Sequence, residues 1–153
     1  MTAMTTPVIR HCLGNTTPPI FRDAIAATFH SGAMLAQQDG TDRIGPAVAS
    51  TTASILGWLP GHQTYVVAVA GDRQFEIQSG IGGPFKSATA GEAVTKTEVG
   101  AICWALDDQT VGKTDAGGTL SPAGYVHAVD VDGIWVDFTH ALDLATARLG
   151  GIL

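Results

Sequence analysis

The strongest structural signal in the sequence is a β-hairpin near its C-terminal end. Two runs rich in β-branched and aromatic residues, Gly124–Val131 and Ile134–Phe138, flank the dipeptide Asp132-Gly133. Asp-Gly tolerates the positive φ angles of a type I′ turn, whose twist matches that of the strands it joins. Such a segment requires a β-sheet, and the rest of the chain must pair with it or pack against it.

Further strand patterns precede this hairpin. The run Thr64–Ala70 is β-branched and apolar, and Arg73–Gln78 alternates polar with apolar residues at the period of a strand. Gly71-Asp72 between them predicts that the two runs pair as a hairpin with one buried face. Ile55–Leu59 and Ala101–Leu106 are additional apolar runs. Short strands separated by Gly-rich turns favour a barrel or sandwich over alternating βα units.

We therefore expect a mainly β fold, either a small β-barrel or a jelly-roll-like sandwich, with one or two short helices. Phe21–Thr28 is compatible with a short helix or turn. Thr95 and Glu98 have the spacing of a capping box, which predicts one helical turn. The segment after Phe138 fits either a short helix or an extended packing tail. Gly80–Pro84 is predicted to be a loop.

The 153 residues fit one domain. Residues 1–19 contain three of the seven prolines and no clear period, which predicts an extended N-terminal arm followed by a single β-rich domain over residues 20–153. An arm of this kind either frays in solution or lies on a neighbouring subunit and adds a strand to its sheet.

Composition restricts the classes of partner. Only 14% of the residues are charged, against about 25% in a typical soluble domain. Either another subunit covers part of the surface, or small residues coat it. The net charge of −6 and the scattered Lys and Arg residues argue against nucleic-acid and membrane-surface binding. Without a signal-peptide or membrane-span pattern, we expect a soluble protein made in the cytoplasm.

The titratable residues predict no catalytic, metal or cofactor site. No pair of histidines has the i, i+4 spacing of a zinc site; the five are His11, His30, His62, His127 and His140. Asp130 and Asp132 lack the further oxygen ligands of a calcium loop and are expected to face solvent. Asp107-Asp108 resemble a catalytic pair only superficially, because neighbours on a strand face apart.

The two cysteines, Cys12 and Cys103, are expected to be reduced. Cys103 lies in an apolar run, where a thiol behaves as a small core hydrophobe, so a dyad with His127 is not favoured. Trp58, beside the turn Pro60-Gly61, is the aromatic residue that we expect to be exposed and available to a subunit interface. The candidate interface residues are therefore Pro7, Val8, Ile9, Pro18, Pro19 and Trp58.

Several short motifs follow one another in the C-terminal half. In order they are Thr97-Glu-Val-Gly100, Trp104–Val111, Thr114-Asp115, Ala123-Gly124 and Val129–Val136. In this arrangement the chain between Thr95 and Phe138 resembles the head decoration (cement) proteins of tailed bacteriophages. Glu98 stands where that family has Asp.

This resemblance implies a non-enzymatic protein that binds the outer surface of an icosahedral head and stabilises it against the pressure of the packaged DNA. The implied fold is a small β-barrel, and the implied partners are the major capsid protein and further copies of the chain, as a homodimer or homotrimer. No nucleic acid, membrane or cofactor is implied. The implied location is the outside of the virion, after assembly in the host cytoplasm.

Two alternatives from other classes remain open. The first is a small β-barrel module that binds carbohydrate or another receptor, with Trp58 or Tyr125 as a stacking platform. The second, weaker alternative is an enzyme that uses Cys103.

Overall fold

Short strands make up most of the regular structure. The computed structural model describes residues 3–4, 6–7, 11–12, 19–38, 41–151 and 153. Strands hold 43% of the residues and helices 11%, which confirms the mainly β class. In chain order the strands are β1 (His11–Cys12), β2 (Ile20–Asp23), β3 (Ala27–His30), β4 (Met34–Gln37), β5 (Ile44–Pro46), β6 (Ser54–Trp58), β7 (Thr64–Val67), β8 (Gln74–Ile77), β9 (Ile81–Ser87), β10 (Ile102–Ala105), β11 (Thr110–Gly112), β12 (Ser121–Val129) and β13 (Ile134–Asp137).

Five of these strands form a small closed barrel, as predicted. Their order is β9-β11-β10-β12-β13, and β13 pairs back onto β9 to complete the circle. The pairing of β9 with β11 is parallel, whereas the other pairings in the circle are antiparallel. Closing a sheet in this way leaves fewer of the unpaired edges that make open sheets prone to association.

The C-terminal hairpin is the pair β12–β13, in which Val126 lies opposite Val136 and Val129 opposite Ile134. Its turn differs from the predicted type I′ geometry, because Gly133 has a positive φ of 144° but Asp132 does not. The Asp130 carboxylate holds the turn instead. Its Oδ1 accepts the N–H groups of Asp132 and Gly133 at 2.9 and 3.1 Å, and its Oδ2 accepts the indole N–H of Trp135 at 2.8 Å.

The strands between residues 20 and 77 form small sheets outside the barrel. They are β2–β8, β3–β7 and β5-β4-β6. The predicted hairpin of Thr64–Ala70 with Arg73–Gln78 is therefore wrong, since β7 pairs with β3 and β8 pairs with β2. Of the short helix or turn expected at Phe21–Thr28, the helix does not form, because these residues belong to β2, β3 and their connection. Cross-strand pairing overrides weak local propensity at both places.

Two hydrophobic cores share the β5-β4-β6 sheet. On β4, Met34 and Ala36 belong to the core that includes the barrel side chains, whereas Leu35 between them belongs to the second core. On β6, Ile55 and Leu56 divide in the same way. Successive side chains of a strand point to opposite faces, so this sheet is buried on both sides and joins the barrel to the outer sheets.

Residues 81–84 of the predicted loop Gly80–Pro84 are instead the beginning of β9, so that prediction is wrong. Gly82 lies on β9 directly under the indole ring of Trp58. A Cβ atom at residue 82 would lie 2.7 Å from ring carbons of Trp58, closer than non-bonded carbons can approach. The glycine that suggested a loop therefore makes room for a buried aromatic ring within a strand.

Short helical segments complete the fold. The capping box of Thr95 and Glu98 is confirmed at the start of a 3-10 helix, Lys96–Glu98, and a second 3-10 helix spans Ala90–Glu92. The segment after Phe138 forms helix α1 (Ala141–Leu149), which resolves the choice between a helix and an extended tail. The Arg148 guanidinium donates a 2.7 Å hydrogen bond to the carbonyl oxygen of Gly118 and ties α1 to the loop before β12.

Replacing Gly82 tests the contact with Trp58. We expect Gly82→Ala to lower the free energy of unfolding by about 1–3 kcal/mol, the usual cost of inserting a methyl group into a packed core. The measurement is urea denaturation followed by tryptophan fluorescence. Gly91→Ala is the matched control, since a Cβ there has no neighbour within 4 Å and should leave stability unchanged. Equal stability of the two variants would contradict this packing.

Candidate functional site

The described part of the N-terminal arm contacts the chain's own domain. The Met4 N–H donates a 2.8 Å hydrogen bond to Asp108 Oδ1, although the two residues are 104 positions apart. Met4 is 7% exposed and Asp108 only 2% exposed. Further along the arm, His11 and Cys12 pair antiparallel with Gly83 and Gly82 of β9. Within the described residues, the arm therefore docks on its own domain at Met4 and at β1, while its contact with a neighbouring subunit stays a prediction.

The Asp107–Gln109 turn, here called the arm seat, connects β10 to β11. All three of its side chains are buried although all are polar. Asp107 Oδ1 accepts the Gln109 N–H at 2.9 Å, which shapes the turn. The main chain of the seat is held by the N–H groups of Met34 and Lys86, which donate to the carbonyl oxygens of Asp108 and Gln109. Both β4 and β9 therefore hold the main chain of the arm seat.

Burial determines the electrostatics of the arm seat. Loss of solvent raises the pKa of Asp108, and the nearby charge of Asp107 raises it further, while the Met4 N–H and His30 act in the opposite direction. The other oxygen of Asp107, Oδ2, is buried and has no hydrogen-bond partner within the described residues. The seat therefore favours the approach of hydrogen-bond donors, such as the backbone N–H of an extended segment.

The predicted interface residues fall into three groups. Pro7 is half-buried and Pro19 is exposed. Val8, Ile9 and Pro18 lie outside the described residues. Trp58 is only 1% exposed, so its prediction as an exposed interface residue is wrong: its ring packs over Gly82 and lies 5.7 Å from the ring of Phe138.

The considered pairing of Cys103 with His127 does not form. Cys103 is fully buried, and its thiol donates to the Gly124 carbonyl oxygen at 3.5 Å. His127 is exposed on β12. Burial raises the pKa of Cys103 to about 12, so the thiolate that would act as a nucleophile is nearly absent at neutral pH.

Three carboxylates of the two acidic pairs singled out in the sequence have structural roles. Asp130 closes the hairpin turn, and its hydrogen bond from Trp135 holds the pKa of its carboxyl below the ordinary range. Asp107 and Asp108 form the arm seat, a role that sequence reasoning missed. The sequence does contain a pattern that could have indicated this turn: four consecutive polar residues, Asp107–Thr110, follow the apolar run of a buried strand. Among the described residues, no group of three or more His, Cys, Asp or Glu side chains is arranged to hold a metal ion.

Apolar side chains are exposed at separate places on the surface. Leu142 and Leu149 are exposed on α1 and border an open groove of about 680 Å³ that also includes Arg43. Val66 is exposed on β7, and Val131 at the tip of the C-terminal hairpin is fully exposed. Tyr125, one of the two proposed stacking platforms, is half-buried on β12.

None of the helices in the described ranges has the length and apolar character needed to cross a membrane.

Comparisons of the chain with protein-family models, with curated proteins and with solved structures found no match in any of the three.

The pKa of Asp108 leads to a pH-dependent prediction. A carboxyl whose pKa is raised by folding destabilises the folded state when it is ionised, so this cost is absent at pH 3 and present at pH 7. The stability of Asp108→Asn relative to the unmodified chain should therefore increase between pH 3 and pH 7, by about 1 kcal/mol. Urea denaturation at both pH values measures the difference. A constant or decreasing difference would contradict the raised pKa.

The burial of Cys103 predicts protection from thiol reagents. In the native protein we expect Cys103 to react at least about 100-fold more slowly than an unfolded cysteine, because thiolate and access are both required. Iodoacetamide labelling followed by peptide mass spectrometry measures this for Cys103 separately from Cys12. Labelling in 8 M urea is the positive control. Rapid native labelling of Cys103 would contradict its protection and favour the enzyme alternative.

Proposed function

We propose that the protein is a structural decoration protein that binds the outer surface of a tailed-phage head and stabilises it. The observation that carries the proposal is the position of the residues that resemble the cement family. Trp104 lies on β10, Thr110 and Val111 on β11, and Ala123 on β12, while the last motif spans the β12–β13 hairpin. The resemblance therefore follows four consecutive strands of the barrel wall.

The physical character of the barrel supports the same proposal. A head protein is displayed in many copies, so exposed sheet edges would promote association between the wrong surfaces. In this chain the barrel strands pair in a closed circle. Apolar residues such as Leu142 and Leu149 are exposed at a few places. Contacts of this limited kind become strong when symmetry repeats them over a shell.

The arm is the segment that we assign to contacts with the capsid or with a sister copy. Its residues 4 and 11–12 already bind a turn and a strand edge within the chain, which is the mode in which extended segments are recognised by sheets. In an assembled head, the same segment would lie along a sheet edge of the major capsid protein or of a second copy.

Binding to heads tests this function. The chain is mixed with expanded heads assembled from the major capsid protein encoded in the same genome, and co-sedimentation is measured. We expect saturable binding by the full chain and at least about a tenfold loss when residues 2–19 are deleted, because the arm supplies part of a multivalent contact. Circular dichroism of the deletion variant controls for folding.

Two results would count against the proposal. The absence of a major capsid protein gene from the genome, or the absence of binding by the full chain, would contradict decoration. Undiminished binding by a folded deletion variant would contradict only the role of the arm and would leave the decoration function standing. Specific binding of a glycan by the isolated protein would favour the carbohydrate-binding alternative.

A further inference from the structure

Strand β7, which lies outside the closed barrel, has the composition of a strand that pairs readily. The run Thr64–Ala70 consists of β-branched, aromatic and small residues and contains neither a charged residue nor a proline. Edge strands of natural proteins are usually protected from further pairing by charges, proline or a bulge. In this chain β2 carries Arg22 and Asp23, and β5 contains Pro46. Strand β7 has neither kind of protection.

The hydrogen bonds between β3 and β7 determine which main-chain groups of β7 point away from β3. The Ser31 N–H donates to the carbonyl oxygen of Gln63 at 3.0 Å, and the pairing continues along β7 without a register shift. In an antiparallel pair, the main-chain groups of successive residues point to opposite sides of the strand. Tyr65 and Val67 therefore face β3, as Gln63 does. The N–H and carbonyl groups of Val66, and of the residues two positions on either side of it, point away from β3.

These outward-pointing residues are exposed. Thr64, Val66 and Ala68 all lie at the surface, and Val66 is 76% exposed. Val67, between two of them, is buried in the second core. Within the described ranges, β3 and β7 form a sheet of two strands. Because a two-stranded sheet has little stability of its own, an additional strand beside β7 would stabilise it.

We propose that β7 is a surface through which two copies of the chain associate, by antiparallel pairing of β7 with the β7 strand of the second copy. The two-fold axis passes beside Val66, which exchanges two main-chain hydrogen bonds with the same residue of the second copy. Thr64 then pairs with Ala68 of the second copy, and the two short sheets become one sheet of four strands. The inference goes beyond the proposed decoration function and does not depend on binding to heads.

The composition of this edge favours a second copy over a different partner. Because Gln63–Ala70 is uncharged, two copies can lie opposite each other without a repulsive pair of like charges. A partner recognised by its charge finds no complement there. Antiparallel pairing about a two-fold axis also uses each edge once, so association ends at the dimer.

The side chains that meet in this arrangement suit a sheet. The Val66 side chains of the two copies become neighbours on the exposed face. On the other face, the half-buried Tyr65 lies opposite Val67 of the second copy. Pairs of β-branched and aromatic residues across strands stabilise sheets. The low proportion of charged residues in the whole chain, 14%, also fits a surface that is partly covered by another subunit.

Sedimentation of the full-length chain over a series of concentrations tests the pairing. We expect the mean mass to rise from the 15.7 kDa of one chain towards twice that value. Val66→Lys brings two like charges together at the axis and should weaken self-association at least about tenfold. Val131→Lys is the matched control, because Val131 is fully exposed at the tip of the C-terminal hairpin, and it should associate as the unmodified chain does. Circular dichroism controls for the folding of each variant.

Mixing two variants tests the position of the axis. Val66→Glu alone should associate as weakly as Val66→Lys. An equimolar mixture of the two should form a dimer again, because opposite charges then face each other across the axis. The proposal is overturned if the unmodified chain stays monomeric throughout the series, or if Val66→Lys associates as strongly as Val131→Lys. A mixture that stays monomeric would overturn the pairing of Val66 with itself.

Discussion

The packing of Trp58 on Gly82 is the interaction on which the arrangement of the two halves depends. Trp58 ends β6, the strand that contributes to both cores, and its indole lies against β9, the strand that closes the barrel. Its backbone also pairs with Gln78, whose N–H and carbonyl groups exchange 3.0 Å hydrogen bonds with it. One residue therefore fixes the distance between the shared sheet and the barrel, and the absence of a side chain at residue 82 makes that distance possible.

The arm seat is a second junction, between elements that are far apart in the sequence. The turn from Asp107 to Gln109 receives hydrogen bonds from β4, from β9 and from the arm. Polar side chains are seldom buried without partners, and here burial brings the cost that appears in the raised pKa of Asp108.

The features that could be predicted from the sequence are those determined by neighbouring residues. The β12–β13 hairpin and the Thr95 capping box depend on short-range turn chemistry, and both are present. The partners of β7 and β8 lie between 34 positions (His30 with Thr64) and 57 positions (Ile20 with Ile77) away, and no local pattern distinguishes those partners from each other. The sequence predicts a loop at Gly82 and an exposed side chain at Trp58. Both predictions are wrong because the glycine and the aromatic ring that packs on it lie in separate segments. The arm seat was missed for the same reason, since its partner is residue 4.

The distance along the chain between Met4 and Asp108 also has a consequence for synthesis. A ribosome that adds residues from the N-terminus releases the arm first, long before the seat exists, and the edge of β9 emerges only after residue 83. During this interval neither the arm seat nor the β9 edge is present to bind residue 4 or residues 11–12, so the arm is available to chaperones, proteases or a neighbouring nascent chain. Docking of Met4 on Asp108 can therefore be completed only after residue 108 has been synthesised.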